Sequence, residues 1–118
     1  MRHRKQRKKL CPTASQHEGL MLSLLKGLFQ QEEVKTTQAR GKELRRLAEH
    51  LIAVAGKRDV HSRRGVFRIL RDKEITHSLC DSIAPRFAGR KGGYTQLVRL
   101  GHRRGDGAPM ILVKLLQK

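Results

Sequence analysis

The sequence contains few aromatic residues: its 118 residues include three Phe, one Tyr and no Trp. Apolar spacing predicts that Phe29 and Phe67 lie on the core faces of helices, so only Phe87 and Tyr94 remain for the surface. Proteins that hold single-stranded nucleic acid by stacking its bases need a platform of such side chains. The shortage of aromatic residues therefore argues against that mode of binding.

Cysteine is scarce as well, with Cys11 and Cys80 far apart in the chain. Two cysteines do not form a disulfide framework, so we expect a reducing compartment, the cytoplasm. A closed zinc site needs four ligands, usually in two close pairs, whereas the Cys and His residues lie singly here. We expect no metal site and no cofactor, and we expect Cys80 to be a buried, inert thiol.

Long apolar runs and clustered carboxylates are also missing. No run approaches the ~20 residues of a membrane span, and no apolar segment follows the N-terminal charges as in a secretory signal. No nucleophile, base and orienting acid can be placed together from their spacing. Residues 89–95 resemble a nucleotide phosphate loop only superficially, because the Lys precedes the glycines and a strand follows. We expect the protein not to be an enzyme.

Positive charge is what the sequence has in excess. Lys and Arg number 27 against 10 acidic residues, which gives a net charge of +17 and a pI near 11.3. Such a field attracts polyanions, nucleic acids above all. Six of the first ten residues are Lys or Arg. This density predicts a basic N-terminal arm over residues 1–12, which orders against phosphates, followed by a single domain over residues 13–118.

Apolar periodicity and capping residues predict the elements of this domain. The first is a helix from the capping box Ser15–Glu18 to about Gln30, followed by a short strand at residues 33–37 and a helix at about 38–55 ended by Gly56. The next is a helix at about 60–70, capped by Asp59, with Val66, Phe67 and Leu70 inward. A helix capped by Asp72 then ends before Pro85, and strands follow at 96–100 and 110–115. The expected fold is α+β: about four helices packed on one face of a small mixed sheet with a C-terminal β-hairpin, plus the basic arm.

Glycine-rich basic segments precede and connect the two strands of the hairpin, at residues 86–93 and 101–109. Glycine permits positive φ and close approach of a backbone, and Arg offers a planar fork for phosphate. Asp106 is expected to pair with Arg103 or Arg104 in a turn. The residues predicted to contact nucleic acid come from the arm, the first strand, the second and third helices and these two segments: Arg2, His3, Arg4, Lys5, Arg7, Lys8, Lys9, Lys35, Thr36, Lys42, Arg45, Arg46, Arg63, Arg64, Arg86, Arg90, Lys91, Gly92, Gly93, Tyr94, His102, Arg103 and Arg104.

Five motifs occur in a characteristic order: Met1-Arg-His-Arg-Lys5, Lys42-Glu-Leu-Arg45, Pro85-Arg-Phe-Ala88, Gly92-Gly-Tyr-Thr95 and Gly105-Asp-Gly-Ala-Pro-Met110. Together they resemble the bacterial large-subunit ribosomal protein seventeen family over essentially the whole chain. The resemblance implies a structural protein that binds large-subunit rRNA near the nascent-chain exit, beside other ribosomal proteins. It also implies a similar fold, and we expect no homo-oligomer, no membrane contact and no small-molecule substrate.

Residues 10–17, which include Cys11 and Pro12, depart from the family pattern, which is usually richer in Asn, Arg and Ser there. The alternative function is a nucleoid-type architectural DNA-binding protein, which would prefer duplex DNA and bend it. No apolar wedge is evident in residues 101–109, which counts against it. A small RNA-modifying enzyme is a third possibility, and the missing acid–base cluster counts against that one.

Overall fold

Two long helices supply most of the core. In the computed structural model, which describes His3 and residues 9–117, they are α1 (Ala14–Gln31) and α2 (Gln38–Ala55). Leu25 and Leu28 of α1 and Leu44, Ala48 and Leu51 of α2 are at most 1% exposed. These positions recur at three- and four-residue spacing, so each helix presents one apolar face to the other elements.

The start of α1 differs from the prediction. Ser15 was expected to cap the helix with Glu18, but Thr13 is the N-cap, and its Oγ1 accepts a hydrogen bond of 3.3 Å from the Gln16 backbone N–H. Thr13 and Gln16 have the same three-residue spacing as a capping box, two residues earlier in the chain. Ser15 therefore lies inside the first turn.

Three shorter helical segments follow α2: α3 (Val60–Leu70), α4 (Lys73–Ser78) and α5 (Ala84–Arg86), with a π-helical turn (Leu79–Ile83) between α4 and α5. Asp59 and Asp72 cap α3 and α4 as predicted, each accepting a hydrogen bond from a backbone N–H three residues on. Pro85 was expected beyond the last helix, but it lies within α5. Proline is tolerated in a first helical turn because its missing N–H has no intrahelical partner there.

Phe67 is the clearest error in the predicted core. Val66 and Leu70 are fully buried, whereas Phe67 is 41% exposed. Successive helical residues are ~100° apart, and the buried face of α3 is formed by Ser62, Val66 and Leu70, which follow one another at four-residue spacing. Phe67 lies just outside this face, on the surface of the protein.

The sheet has three strands, β1 (Glu33–Thr37), β2 (Thr95–His102) and β3 (Pro109–Leu115), in the order β1-β3-β2. A mixed sheet was expected, but both pairings are antiparallel. The α+β class, the edge strand and the C-terminal hairpin are confirmed. A bulge between Arg99 and Gly101 carries β2 further than predicted, through His102.

Helix α2 packs directly on the inner face of β3, where Ile111, Val113 and Leu115 are buried. Gly41 is the point of closest approach, because a methyl group in its place would collide with the Ile111 side chain and lie 3.2 Å from Val113. The absence of a side chain at Gly41 therefore sets the helix–sheet distance. Within the described residues, no helix combines the length and hydropathy needed to cross a lipid bilayer.

Candidate nucleic-acid interface

Acidic residues neutralise a minority of the Lys and Arg side chains that the structure describes. The ion pairs are Lys26–Asp72, Arg45–Glu49, Arg46–Glu43, Arg63–Asp81, Arg86–Glu32 and Arg103–Asp106. Within residues 9–117, the Lys and Arg side chains that lie in none of these pairs are Lys9, Lys35, Arg40, Lys42, Lys57, Arg58, Arg64, Arg68, Arg71, Lys73, Arg90, Lys91, Arg99, Arg104 and Lys114. Cations without an acidic partner are available to phosphates.

The hairpin tip, residues 102–108, is a preformed basic loop. Arg103 donates to both carboxylate oxygens of Asp106, at 3.1 and 2.6 Å, and Asp106 also accepts from the Ala108 backbone N–H at 3.2 Å. The Arg103 guanidinium therefore holds the pKa of the Asp106 carboxyl well below its usual range. Gly105 has a φ of 99°, which a residue with a side chain rarely adopts. The predicted local pair is confirmed, and it leaves His102 and Arg104 exposed at the tip.

Arg86 has a structural contact that its predicted role did not include. Its two terminal nitrogens donate to the two carboxylate oxygens of Glu32, both at 2.9 Å, and the Arg86 side chain is only 25% exposed. The hydrogen bond to Arg86 lowers the pKa of Glu32. Glu32 also accepts a 2.9 Å hydrogen bond from the Leu115 N–H through its backbone carbonyl. Arg86 thus joins α5 to the end of α1, and its planar donor fork is already occupied.

Tyr94 does not offer a stacking surface. It is 7% exposed, its ring centroid lies 5.2 Å from that of the buried Phe87, and its hydroxyl donates to the Arg90 carbonyl at 3.0 Å. The two rings support the loop of residues 87–94 from inside. Of the aromatic residues, the two expected on the surface are buried, and Phe67, expected in the core, is exposed.

Lys57 and Arg58 form part of a basic surface that the sequence pattern did not indicate. With Arg90 and the backbone of Gly89 they line an open depression of about 410 Å³ where the end of α2 meets the loop before β2. We refer to these four residues as the basic depression. Lys57 and Arg58 follow the predicted helix stop and carry no motif, so the only sequence signal was their charge beside a glycine.

Helix α2 contributes a mixed surface. Arg45 donates to Glu49 at 3.4 Å, and Glu49 also accepts from the Thr95 hydroxyl at 2.9 Å, so this carboxylate connects α2 to β2. Arg46 is paired with Glu43. Lys42 lies on the same exposed side, and in the described part of the chain no carboxylate approaches it.

Strand β1 separates the two residues that it was expected to contribute. Thr36 is opposite Ile111 and is 6% exposed, whereas Lys35 is opposite Leu112 and exposed. Alternate residues of a strand point to opposite faces. Lys35 therefore lies on the outer face of the sheet, away from α2, and Thr36 belongs to the core.

The predicted residues consequently form separate surfaces. Arg90, Lys91, Gly92 and Gly93 precede β2, and the hairpin tip follows it. An eight-residue strand is about 26 Å long, so these basic loops lie at opposite ends of the hairpin. Arg63 and Arg64 lie on α3, where Arg63 donates to Asp81 at 2.7 Å. His3 and Lys9 are exposed, while Arg2, Arg4, Lys5, Arg7 and Lys8 lie outside the described residues.

The described residues hold no cluster of three His, Cys, Asp or Glu side chains that would bind a metal ion. Cys80 is 8% exposed, and burial raises the pKa of its thiol. Both observations agree with the expectation of an inert cysteine.

Comparison with known proteins gives a consistent set of relatives. Residues 20–116 match the family described as "Ribosomal protein L17". A protein of Desulforapulum autotrophicum named "Large ribosomal subunit protein bL17" is 41% identical over 98% of this chain and 97% of its own length. Proteins of the same name from Desulfosudis oleivorans and Syntrophotalea carbinolica are 43% and 35% identical over 98% and 100% of this chain. The chain spans 56% of the length of the former and 76% of the latter.

Proposed function

The chain belongs to the ribosomal protein L17 family, and from this premise we propose that it binds large-subunit rRNA through several separate basic surfaces. Membership makes it a structural constituent of the large ribosomal subunit and not an enzyme. This agrees with the expectation from the sequence, and it removes the basis for the DNA-binding alternative. The finer proposal concerns which residues hold the RNA.

The separation of the cations carries this proposal. The hairpin tip and the basic depression adjoin opposite ends of β2, which is about 26 Å long. Two cationic sites held this far apart by one hairpin can each contact a separate RNA segment. The protein would thus hold two rRNA segments at a fixed spacing, with the arm of residues 1–12 as a further contact beside the domain of residues 13–118.

The contact residues fall into two groups. Those proposed to bind phosphate are exposed cations that have no acidic partner within residues 9–117, namely Lys42, Lys57, Arg58, Arg64, Arg90, Lys91 and Arg104. Arg45, Arg46, Arg63 and Arg103 are anchored by carboxylates and present their remaining N–H donors. The location near the nascent-chain exit, the protein neighbours there and the monomeric state rest on the family resemblance, and crosslinking within intact subunits tests them.

A salt titration of binding to protein-free large-subunit rRNA tests the proposal. If ~10 phosphates are neutralised, log affinity falls with log salt at a slope between about −7 and −9. Duplex DNA serves as the competitor, and folded rRNA is expected to win at equal phosphate concentration. A slope near zero, or equal competition by DNA, would sink the proposal.

A truncated chain lacking residues 1–9 tests the division between arm and domain. We expect a lower RNA affinity with unchanged helical circular dichroism, because the described core begins after these residues. Loss of the helical signal would mean that the arm is part of the core. The full-length chain in the same buffer is the control.

A further inference from the structure

Phe67 is an exposed aromatic side chain with no role in the core. Its exposure is 41%, against 3% for Phe29, 5% for Phe87 and 7% for Tyr94. The core beneath it is closed without its help, since Val66 and Leu70 of the same helix are fully buried. Exposing a large apolar ring forgoes the free energy that burial would provide. A binding partner that covers the ring would recover it.

The ring lies in an open, mostly apolar depression of about 390 Å³ between α3 and α4. The side chains around it are Arg63, Arg64, Lys73, Thr76 and His77. Arg63 and Arg64 precede Phe67 by four and three residues, which places all three on one side of α3. The depression therefore has the Phe67 ring as its apolar floor and basic side chains at its border.

The border of the depression keeps a net positive character. Arg63 is held by Asp81 at 2.7 Å, and His77 Nδ1 also lies 3.1 Å from that carboxylate. Arg64 and Lys73 are exposed and form no ion pair with any carboxylate of residues 9–117. One acidic group thus occupies one side, and cations remain on the other.

We propose that Phe67 stacks on an unpaired base of large-subunit rRNA while Arg64 and Lys73 contact the phosphates next to that base. This inference rests on the proposed function and deepens it, because it adds a base contact to surfaces that otherwise bind the backbone. A base has an apolar face and a charged backbone within the same nucleotide, which matches the floor and the border of the depression. Stacking on an aromatic ring accepts any base, so no sequence preference is implied.

Charge decides between a nucleotide and a segment of a neighbouring protein. An apolar protein segment over Phe67 would take Arg64 and Lys73 out of water without giving them an acceptor, and this costs free energy. A nucleotide supplies both phosphate oxygens that accept from Arg64 and Lys73 and a base that stacks on the ring. The partner is thus a nucleotide outside a continuous double helix, since a base inside a helix has neighbouring bases stacked on both of its faces.

A fluorescence experiment tests the stacking directly. The chain contains no Trp, so Phe67→Trp introduces a single reporter at the site. Titration with protein-free large-subunit rRNA is expected to quench the Trp emission, because a stacked base quenches an indole. A fully paired RNA duplex of matched charge is the control and is expected to leave the emission unchanged. No quenching by rRNA, or equal quenching by the duplex, would overturn the proposal.

Substitutions test the contribution of the ring to affinity. Phe67→Ala is expected to weaken rRNA binding by between about fivefold and a hundredfold, the range found when stacked aromatics are replaced by alanine. The slope of log affinity against log salt stays the same, because no phosphate contact is lost. Phe67→Tyr retains the affinity and Phe67→Leu does not, since Leu keeps apolar contact but has no ring.

The outcomes separate this proposal from the proposed function. If the original chain fails to bind rRNA, the proposed function itself is wrong. If that chain binds and Phe67→Ala binds equally well, only the stacking is wrong. If Phe67→Ala binds free rRNA normally but is lost from large subunits on a sucrose gradient, the ring contacts a protein neighbour and the stacking is again wrong. Circular dichroism of each variant confirms that the fold is unchanged.

Discussion

Arg86 and Arg103 each bind a carboxylate through two hydrogen bonds, but the two pairs connect different parts of the chain. Arg86 reaches Glu32, 54 residues away, and its side chain is 25% exposed. Arg103 reaches Asp106, three residues away, and both side chains are about half exposed. The first pair joins two helices and the second shapes one loop. Identical chemistry thus serves the fold in one place and the surface in the other.

This difference teaches that net charge does not identify which cations are available to RNA. Both arginines follow or precede glycines in basic segments, and both were predicted to contact nucleic acid. The position of the acidic partner in space distinguishes them. The Arg86 pair connects distant parts of the chain and stabilises the fold, whereas the Arg103 pair fixes the shape of one exposed turn.

Two helical glycines differ in the same way, since one packs against a distant strand and the other faces open space. Their substitution gives the largest expected effect on stability. A methyl group at Gly41 would collide with Ile111, far away in the chain, whereas one at Gly65 would meet nothing within 4 Å. Gly65→Ala should raise the free energy of unfolding by up to about 1 kcal/mol through helix propensity. The free energy of unfolding of Gly41→Ala should be about 1–3 kcal/mol lower than that of Gly65→Ala, because overpacking against Ile111 opposes the gain in helix propensity. Urea unfolding followed by circular dichroism measures both, and equal stabilities would contradict the packing argument.

Replacing each arginine with alanine tests whether the two ion pairs differ in their contribution to stability. Arg86→Ala is expected to lower the free energy of unfolding by about 1 kcal/mol, a modest loss because both partners remain partly exposed to solvent. Arg103→Ala is the matched control, and its unfolding midpoint should not change measurably. A midpoint shift for Arg103→Ala as large as that for Arg86→Ala would show that the distinction between the pairs is wrong.

Acid should remove the contribution of the Glu32–Arg86 pair. Hydrogen bonding to Arg86 holds the pKa of folded Glu32 below its ordinary value of 4.5. The stabilisation is therefore complete above pH 4.5 and is lost as the pH falls through the lower pKa of the folded state. Glu32→Gln should be less stable than the original chain at neutral pH, and the gap should narrow below pH 4.5. A gap that stays constant as the pH falls would refute this assignment.

The smallest expected effect is a change in the salt dependence of rRNA binding. Arg104 is exposed at the hairpin tip, and no carboxylate of residues 9–117 pairs with it. Arg104→Ala should therefore reduce the magnitude of the salt slope by about 1 and leave the stability unchanged. Arg86→Ala should leave the slope unchanged. If Arg86→Ala changed the slope and Arg104→Ala did not, the roles of the two residues would be reversed.

The features predicted correctly from the sequence depend on neighbours a few residues apart. The caps at Asp59 and Asp72, the bounds of α2 and the Arg103–Asp106 pair all belong to this group. The two caps and the Arg103–Asp106 pair require only a donor and an acceptor within one turn of chain, and the bounds of α2 follow from its apolar spacing and Gly56. Local chemistry alone was sufficient there, whichever way the rest of the chain folded.

The features that the sequence did not reveal depend on tertiary packing. Glu32 pairs with Arg86, and Lys57 and Arg58 line one depression with Arg90, only after the helices have packed on the sheet. The predicted burial of Phe67 was wrong for another reason, since an apolar residue at the edge of a helical face fits the period almost as well as one at its centre. The actual depth of the core decides between them.

The position of β3 in the sheet has a consequence for synthesis. β3 forms the hydrogen bonds of both β1 and β2, yet it follows both of them in the chain. While the polypeptide is being translated, β1 and β2 have emerged before their shared partner exists. The β2–β3 hairpin closes across a short loop, whereas β1 must pair with β3 across most of the chain, so the β1–β3 pairing should form last. A chain that lacks β3 therefore cannot assemble the sheet, because β1 and β2 pair with β3 and not with each other.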